Sequence, residues 1–166
     1  MKETLKIMMI AFAIAQPLAA QGACKPILDA EMKALETPVH LFITSDIGSR
    51  TITAEAIYAN GHSYVKAGGN WTINGTTKAM ADLMQKKRQQ HSSATCSYVK
   101  DDSVNGEAAA VYNMKSELSS GGELNSQVWI SKSKSVPLRQ EDVVDSHGHK
   151  THNSTRYEYN NVEAPM

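Results

Sequence analysis

Apolar and polar positions along this chain alternate with two different periods, and the switches between them mark out its elements. The helical period appears first in "KPILDAEMKALETP", where Ile27, Leu28, Met32 and Leu35 recur at helical spacing with Pro26 early and Pro38 beyond. One amphipathic helix ending near Thr37 is expected there. The period then falls to two in "RTITAEAIYANGHSYVKAGGNWTING", where Asn60-Gly61 supplies the positive φ of a two-residue hairpin turn and Gly68-Gly69 marks a second turn. Three antiparallel strands in sequence order make a meander.

"TTKAMADLMQKKRQQ" returns to the helical period, with Met80, Leu83 and Met84 on one side and Thr76 or Thr77 as N-cap. Its basic C-terminal end complements the helix dipole. Strand patterning resumes in "ATCSYVKDD" and "EAAAVYNMKSEL", separated by a turn at Asn105-Gly106, and continues in "NSQVWISK", "VPLRQEDVV" and "STRYEYNNVEAP". About eight strands and two helices without β-α-β alternation predict an α+β architecture. The expectation is one curled antiparallel sheet, an unclosed half-barrel, with the two helices against its concave side.

In "NSQVWISKSKSVPLRQED", Trp129 stands between Val128 and Ile130, so both faces of that strand carry apolar side chains and both call for cover. Trp129 reads more simply as plain core. Pro137 suits the first residue of a strand, where its missing N–H costs nothing, and Arg139 is expected to face outward.

The first 23 residues fall outside this scheme. Lys2 and Lys6 precede the apolar run "IMMIAFAIA", which is followed by Pro17 and the small-residue stretch "LAAQGA". That is the pattern of a signal peptide, expected over residues 1–23, with cleavage after Ala20, Gly22 or Ala23. Nine residues at about 1.5 Å each are too short to cross a hydrocarbon core of about 30 Å. A single domain is expected over 24–166, exported to a bacterial periplasm, with no membrane-spanning segment in the mature chain. The 166 residues hold 17 basic and 17 acidic side chains, and this near-neutrality gives no reason to expect nucleic-acid binding.

Cys24 and Cys96 are the only cysteines. In an oxidising compartment an even pair reads as a disulfide. The alternative makes Cys24 the lipidated N-terminus of a lipoprotein, because "QGAC" places small residues just before it, although Gln21 stands where an aliphatic residue is usual.

"QVWISKSKSVPLRQE" followed by "STRYEYNNVEAP" resembles the C-terminal hairpins of the LolA-like family, the periplasmic lipoprotein carriers and their relatives. The features shared are the apolar strand Val128-Trp129-Ile130 before a short polar turn, the strand start Pro137-Leu138-Arg139, and the phrase Tyr159-Asn160-Asn161-Val162. "YANGHSYVKAGGNW" fits the family's second hairpin more loosely. The resemblance implies an unclosed β-barrel lidded by helices, and a lipid or other hydrophobic small molecule as ligand.

For such a ligand the alternating runs offer Ile57, Tyr64, Trp71, Tyr98, Tyr112, Trp129 and Tyr157, because Tyr and Trp combine a large apolar body with one polar handle. Met80 and Met84, with Met32, would form a deformable lid. The same residues could instead fill each other's space, leaving an envelope interaction or scaffold module that works through a protein partner and an exposed sheet edge. No cofactor is expected. His147, His149 and His152 lie close in sequence but read as an exposed hairpin loop rather than a metal site. No G-x-S-x-G, H-E-x-x-H or S-x-x-K motif is present, so no enzyme activity is expected.

Overall fold

The structure is a computed structural model that describes residues 18–90, 94–118, 121–146 and 148–165. Most of the expected signal peptide lies outside the described residues. Helix α1 spans Leu18–Glu36 and is followed by β1 (Val39–Ile47), β2 (Arg50–Ala59), β3 (His62–Ala67) and β4 (Asn70–Thr76). Helix α2 covers Thr77–Gln90, and then come β5 (Thr95–Val104), β6 (Glu107–Glu117), β7 (Glu123–Ser131), β8 (Pro137–Ser146) and β9 (His149–Glu158).

All nine strands form one antiparallel sheet in the order β4-β3-β2-β1-β9-β8-β7-β6-β5. The edges, β4 and β5, are neighbours in sequence joined through α2. The sheet is therefore an unclosed curl with a helical connection between its two edges. This is the α+β architecture expected, with nine strands rather than about eight. The extra strand is β1, which pairs with both β2 and β9 at the centre of the sheet. Its signal was in "VHLFITSDI", where Val39, Leu41 and Ile43 alternate between the helix-ending Pro38 and the turn at Gly48.

Turn chemistry fixes the hairpins. Asn60 and Gly61 have φ of 53° and 76°, and Asn105 and Gly106 have 52° and 84°, both pairs forming left-handed two-residue turns. Gly122 is required twice over: its φ is 109°, and a Cβ there would overlap the Asp145 carbonyl oxygen. The final strand differs from expectation at both ends. It starts at His149, taking in residues read as loop, and stops at Glu158, before the Asn-Val phrase.

Helix α1 begins well before the expected Pro26 and runs through Ala20, Gly22 and Ala23. Pro26 inside it leaves the Gly22 carbonyl without its usual donor. Its buried stripe, Cys24, Ile27, Ala30 and Ala34 with Leu35, follows the helical period. Ile27 and Ala30 pack on Val128 and Ile130, with Cys96, Tyr112 and Met114 around them. Cys24 and Cys96 form a disulfide, which pins α1 to the edge strand β5 and occupies the thiol that a lipid anchor at Cys24 would need. Closing a loop with a sequence separation of 72 contributes about 4 kcal/mol in the chain-entropy model. Thr37 Oγ1 donates to the Lys33 carbonyl at the end of α1.

Helix α2 is held far more lightly. It touches α1, β3 and β4, yet none of its described side chains is buried, and Leu83 is 55% exposed. Thr76 Oγ1 accepts from the Ala79 amide as N-cap, and the Thr77 amide donates to the Gly61 carbonyl.

Candidate functional site

The two faces of the sheet have different chemistry. One is the face against which α1 packs. Cross-strand register puts Val39, Leu41, Ile43 and Ile47 of β1 on it, with Ala56 and Ile52 of β2 and Tyr157 of β9. Val39, Leu41 and Ala56 form a buried cluster joined by Tyr58, Val65 and Tyr157. Gln140, Val128, Tyr112 and Tyr98 continue the same face towards β5.

Cover on this face is partial. One cross-strand row runs from Ile52 through Ser45, Asn153, Asp142, Ser126 and Met114 to Cys96, reaching α1 only at its Met114–Cys96 end. The next row outward carries Ile47, Val144 and Leu124. Ile47 is 49% exposed and Ile52 53% exposed, so apolar surface is left open at this end of the curl.

The polar groups on this face are mostly neutral. Burial pushes the Tyr157 phenol well above its ordinary pKa, with the Glu31 carboxylate of α1 adding to the shift. Its hydroxyl donates to Gln140 Oε1 at 3.1 Å, and Gln140 in turn donates to Asp142. Burial also raises Tyr58 and Tyr159, and Tyr159 donates to the Pro137 carbonyl at 2.7 Å. The buried hydroxyls of Ser126 and Ser63 have no hydrogen-bond partner among the described residues. A buried hydroxyl left unpaired costs about 1–3 kcal/mol.

The opposite face, which faces away from the helices, is crossed by a single register row through all nine strands: Trp71, Lys66, Glu55, Phe42, Arg156, Arg139, Trp129, Val111 and Lys100. Cations lie over aromatic rings three times in it. Lys66 Nζ sits 5.6 Å from the Trp71 ring centroid, the Arg156 guanidinium 4.3 Å from Phe42, and the Arg139 guanidinium 4.8 Å from Trp129. Each contact contributes about 0.5–1 kcal/mol at an exposed site.

Arg139 and Arg156 stand directly opposite each other, an unfavourable placement offset by Glu141 beside the first and Glu158 beside the second. Glu55 accepts from Lys66 at 3.2 Å and pairs with His40 at 2.8 Å, and these partners, Lys66 foremost, lower its pKa. Trp129 is 7% exposed, packs with Ala109, Val111 and Leu138, and donates its indole N–H to Asp102 at 3.1 Å. That bond first, then the Ser103 amide and Lys100, holds Asp102 down at about 2.

The nine nominated residues therefore divide between the faces. Tyr98, Tyr112 and Tyr157 share the face with α1, and Met80 and Met84 are half-buried on α2. Ile57, Tyr64, Trp71 and Trp129 lie on the opposite face, Ile57 and Tyr64 paired to each other and His40 edge-on to Trp71 at 5.9 Å. No single ligand beneath the helices touches all nine. Alternation in a strand reveals that residues share a face but not which face, because one extra residue between two strands reverses it. Not among the nominated residues are Ile43, Ile47, Ile52, Val144 and Leu124: Ile43 and Ile47 sit in β1, which is not among the strands expected from the sequence, and Ile52 in its hairpin partner β2, which is. Among the described histidines, His149 starts β9 and His152 pairs with Glu141 at 3.2 Å; His147 lies outside the described residues. Among the described residues, no group of three or more His, Cys, Asp or Glu comes together to hold a metal.

Two open concavities lie on the face away from the helices. One, of about 650 Å³, is lined by residues of β5 to β8, including Ser97, Asn113, Asn125, Gln127 and Glu141. The other, of about 450 Å³, lies over Phe42, Thr44, Thr53, Glu55 and Lys66. Both mix polar and apolar groups, with Cys96, Met114 and Val143 also lining the first and Ile43 and Ala54 the second.

No family model and no curated protein matches this chain. Solved structures do. The Mycobacterium tuberculosis lipoprotein LppX is 13% identical, with 87% of this chain aligned to 98% of that one at a TM-score of 0.48. LprF from Mycobacterium bovis is 15% identical, with 89% aligned to 94% at 0.45. A LolA superfamily protein from Nitrosomonas europaea, NE2245, is 9% identical, with 84% aligned to 91% at 0.30. Each of these three structures aligns with this chain over most of its length.

Proposed function

We propose that this protein is an exported carrier or binding protein that holds a hydrophobic ligand, a lipid or acyl chain, on the helix-covered face of its sheet, with α2 as the movable lid. The observation that carries the reading is the uneven cover of that face. Helix α1 is fixed by a disulfide and a buried stripe, while Ile47 and Ile52 remain about half exposed and α2 buries none of its described side chains. An acyl chain laid along Ile47, Ile52, Val144 and Leu124 removes that apolar area from water at roughly 25 cal/mol per Å². A polar end group on the same ligand could supply the partner that the Ser126 hydroxyl lacks. Of the nominated residues, Tyr98, Tyr112 and Tyr157 share this face and Met80 and Met84 lie on the lid helix. The disulfide fits an oxidising compartment such as the periplasm.

Ile52 and Thr53 are adjacent, exposed and on opposite faces of β2, which makes a matched test. Binding of a dansyl-labelled fatty acid is expected to weaken at least tenfold in Ile52→Glu and to stay unchanged in Thr53→Glu. Equal weakening in both, or loss only in Thr53→Glu, would place the site elsewhere.

A further inference from the structure

One carboxylate on the helix-covered face is left without a cation. Among the described residues, most carboxylates of the strands pair with a Lys, Arg or His. Asp46 and Glu117 have no such pair, but both are exposed to water. Asp142 is half-buried and has none either. Its two oxygens share the Gln140 Nε2, at 3.0 and 3.1 Å, and Tyr157 orients that amide by donating to Gln140 Oε1. A charge drawn partly out of water without an opposite charge beside it is costly.

A second observation falls at the same place. Asp142 stands directly opposite Ser126 of β7 on one side and Asn153 of β9 on the other. Ser126 is 4% exposed, and its hydroxyl has no hydrogen-bond partner among the described residues. One residue lacks a charge and its neighbour lacks a hydrogen bond. Directly opposite residues have Cβ atoms about 4.5–5.5 Å apart, close enough for one small group to contact both. Apolar residues flank the pair along the same face, Val128 on one side and Leu124 with Val144 on the other.

An ammonium group answers both needs. It carries the charge that Asp142 lacks, and its three N–H donors suffice for the Asp142 carboxylate and the Ser126 oxygen together. A carboxylate or phosphate would set a second negative charge against Asp142, where the potential is already negative. The Tyr157 phenol, raised first by burial, is raised further by Glu31 of α1 and by Asp142. A hydroxyl would satisfy Ser126 and leave the charge of Asp142 uncompensated. We infer that the ligand of this face is a cationic amphiphile, an alkyl or acyl chain ending in an ammonium group held between Asp142 and Ser126. This inference rests on the carrier reading and narrows it. The chain would run outward over Leu124, Val144 and Ile47, and a fatty acid could lie along the same residues without gaining the ion pair.

The test is displacement of the neutral dye N-phenyl-1-naphthylamine from the complete exported chain at neutral pH. The competitors are dodecylammonium, dodecanoate and dodecanol, equal in chain length and kept below micelle-forming concentrations. Dodecylammonium is expected to displace the dye at a concentration at least about tenfold lower than dodecanoate. In Asp142→Asn that preference should shrink to about twofold or less, while dodecanol binds as before and so shows that the variant folds. Asp145→Asn removes a like charge from the opposite face of the same strand and should keep the preference. Equal displacement by all three heads, a preference that survives Asp142→Asn, or one lost as well in Asp145→Asn would overturn the inference and leave the carrier reading standing. Failure of the dye and all three amphiphiles to bind would overturn both.

Discussion

Trp129 links residue chemistry to the stability of the open face. Its indole N–H is the first of the contacts that hold Asp102 at about 2, well below the usual carboxylate value. A carboxyl depressed in the folded state adds stability that is complete above its unfolded pKa and is lost as pH falls through its folded one. Stability should therefore decline on acidification from about pH 4 to pH 2. In Trp129→Phe the Asp102 carboxyl, followed by carbon NMR, should titrate closer to the ordinary carboxylate value; an unmoved titration would show that Ser103 and Lys100 suffice. Ser126 gives the complementary case on the other face. Its orphan hydroxyl penalises folding, so Ser126→Ala should leave the ligand-free protein as stable or up to about 1 kcal/mol more stable by denaturant unfolding. A loss of stability instead would mean that Ser126 has a partner in the folded protein.

At the scale of elements, the two helices are unequal. Helix α1 is tied by packing and by a covalent bond, and either tie is measurable. Ile27→Ala removes a fully buried side chain from the cluster with Val128 and Ile130 and should cost about 2–4 kcal/mol. Cys96→Ser should cost about 4 kcal/mol by loop entropy and free α1 from β5; denaturation in the presence and absence of reductant checks it, with no reductant effect as the contrary result. Most of these elements were legible in the sequence. Asn60-Gly61 and Asn105-Gly106 named their hairpins because few residues other than glycine and asparagine accept positive φ, and the pair Thr76-Thr77 marked the start of α2, with Thr76 the one whose hydroxyl caps the helix. Strand β1 was less legible, because Pro38 both stops α1 and opens the strand, so the alternation of Val39, Leu41 and Ile43 begins with no turn residues to set it apart from the helix. The candidate site was legible only in part. Composition identified the large side chains, but which face each occupies depends on register across strands far apart in sequence, and no local pattern encodes that.

For the molecule as a whole, the decisive features are the open seam and the division of labour between faces. A sheet whose edges are β4 and β5 remains open unless something bridges it, and α2 is the segment that runs between them. One face is apolar, half covered and holds neutral phenols. The other is laced with paired charges and cation-aromatic contacts. A ligand that fills the first should order α2, so amide exchange in Thr77–Lys86 should slow on ligand binding while exchange in β6 and β7 stays nearly constant. Uniform protection across the sheet would instead indicate general stabilisation without a lid.

The measurement that bears most directly on the central claim is native mass spectrometry of the protein purified from a periplasm without detergent, before and after organic extraction. The expected result is an added mass in the lipid range that disappears on extraction, on a chain two hydrogens lighter than its reduced form because Cys24 and Cys96 are joined. A spectrum showing only the bare chain, with added acyl lipid failing to bind on reconstitution, would contradict it.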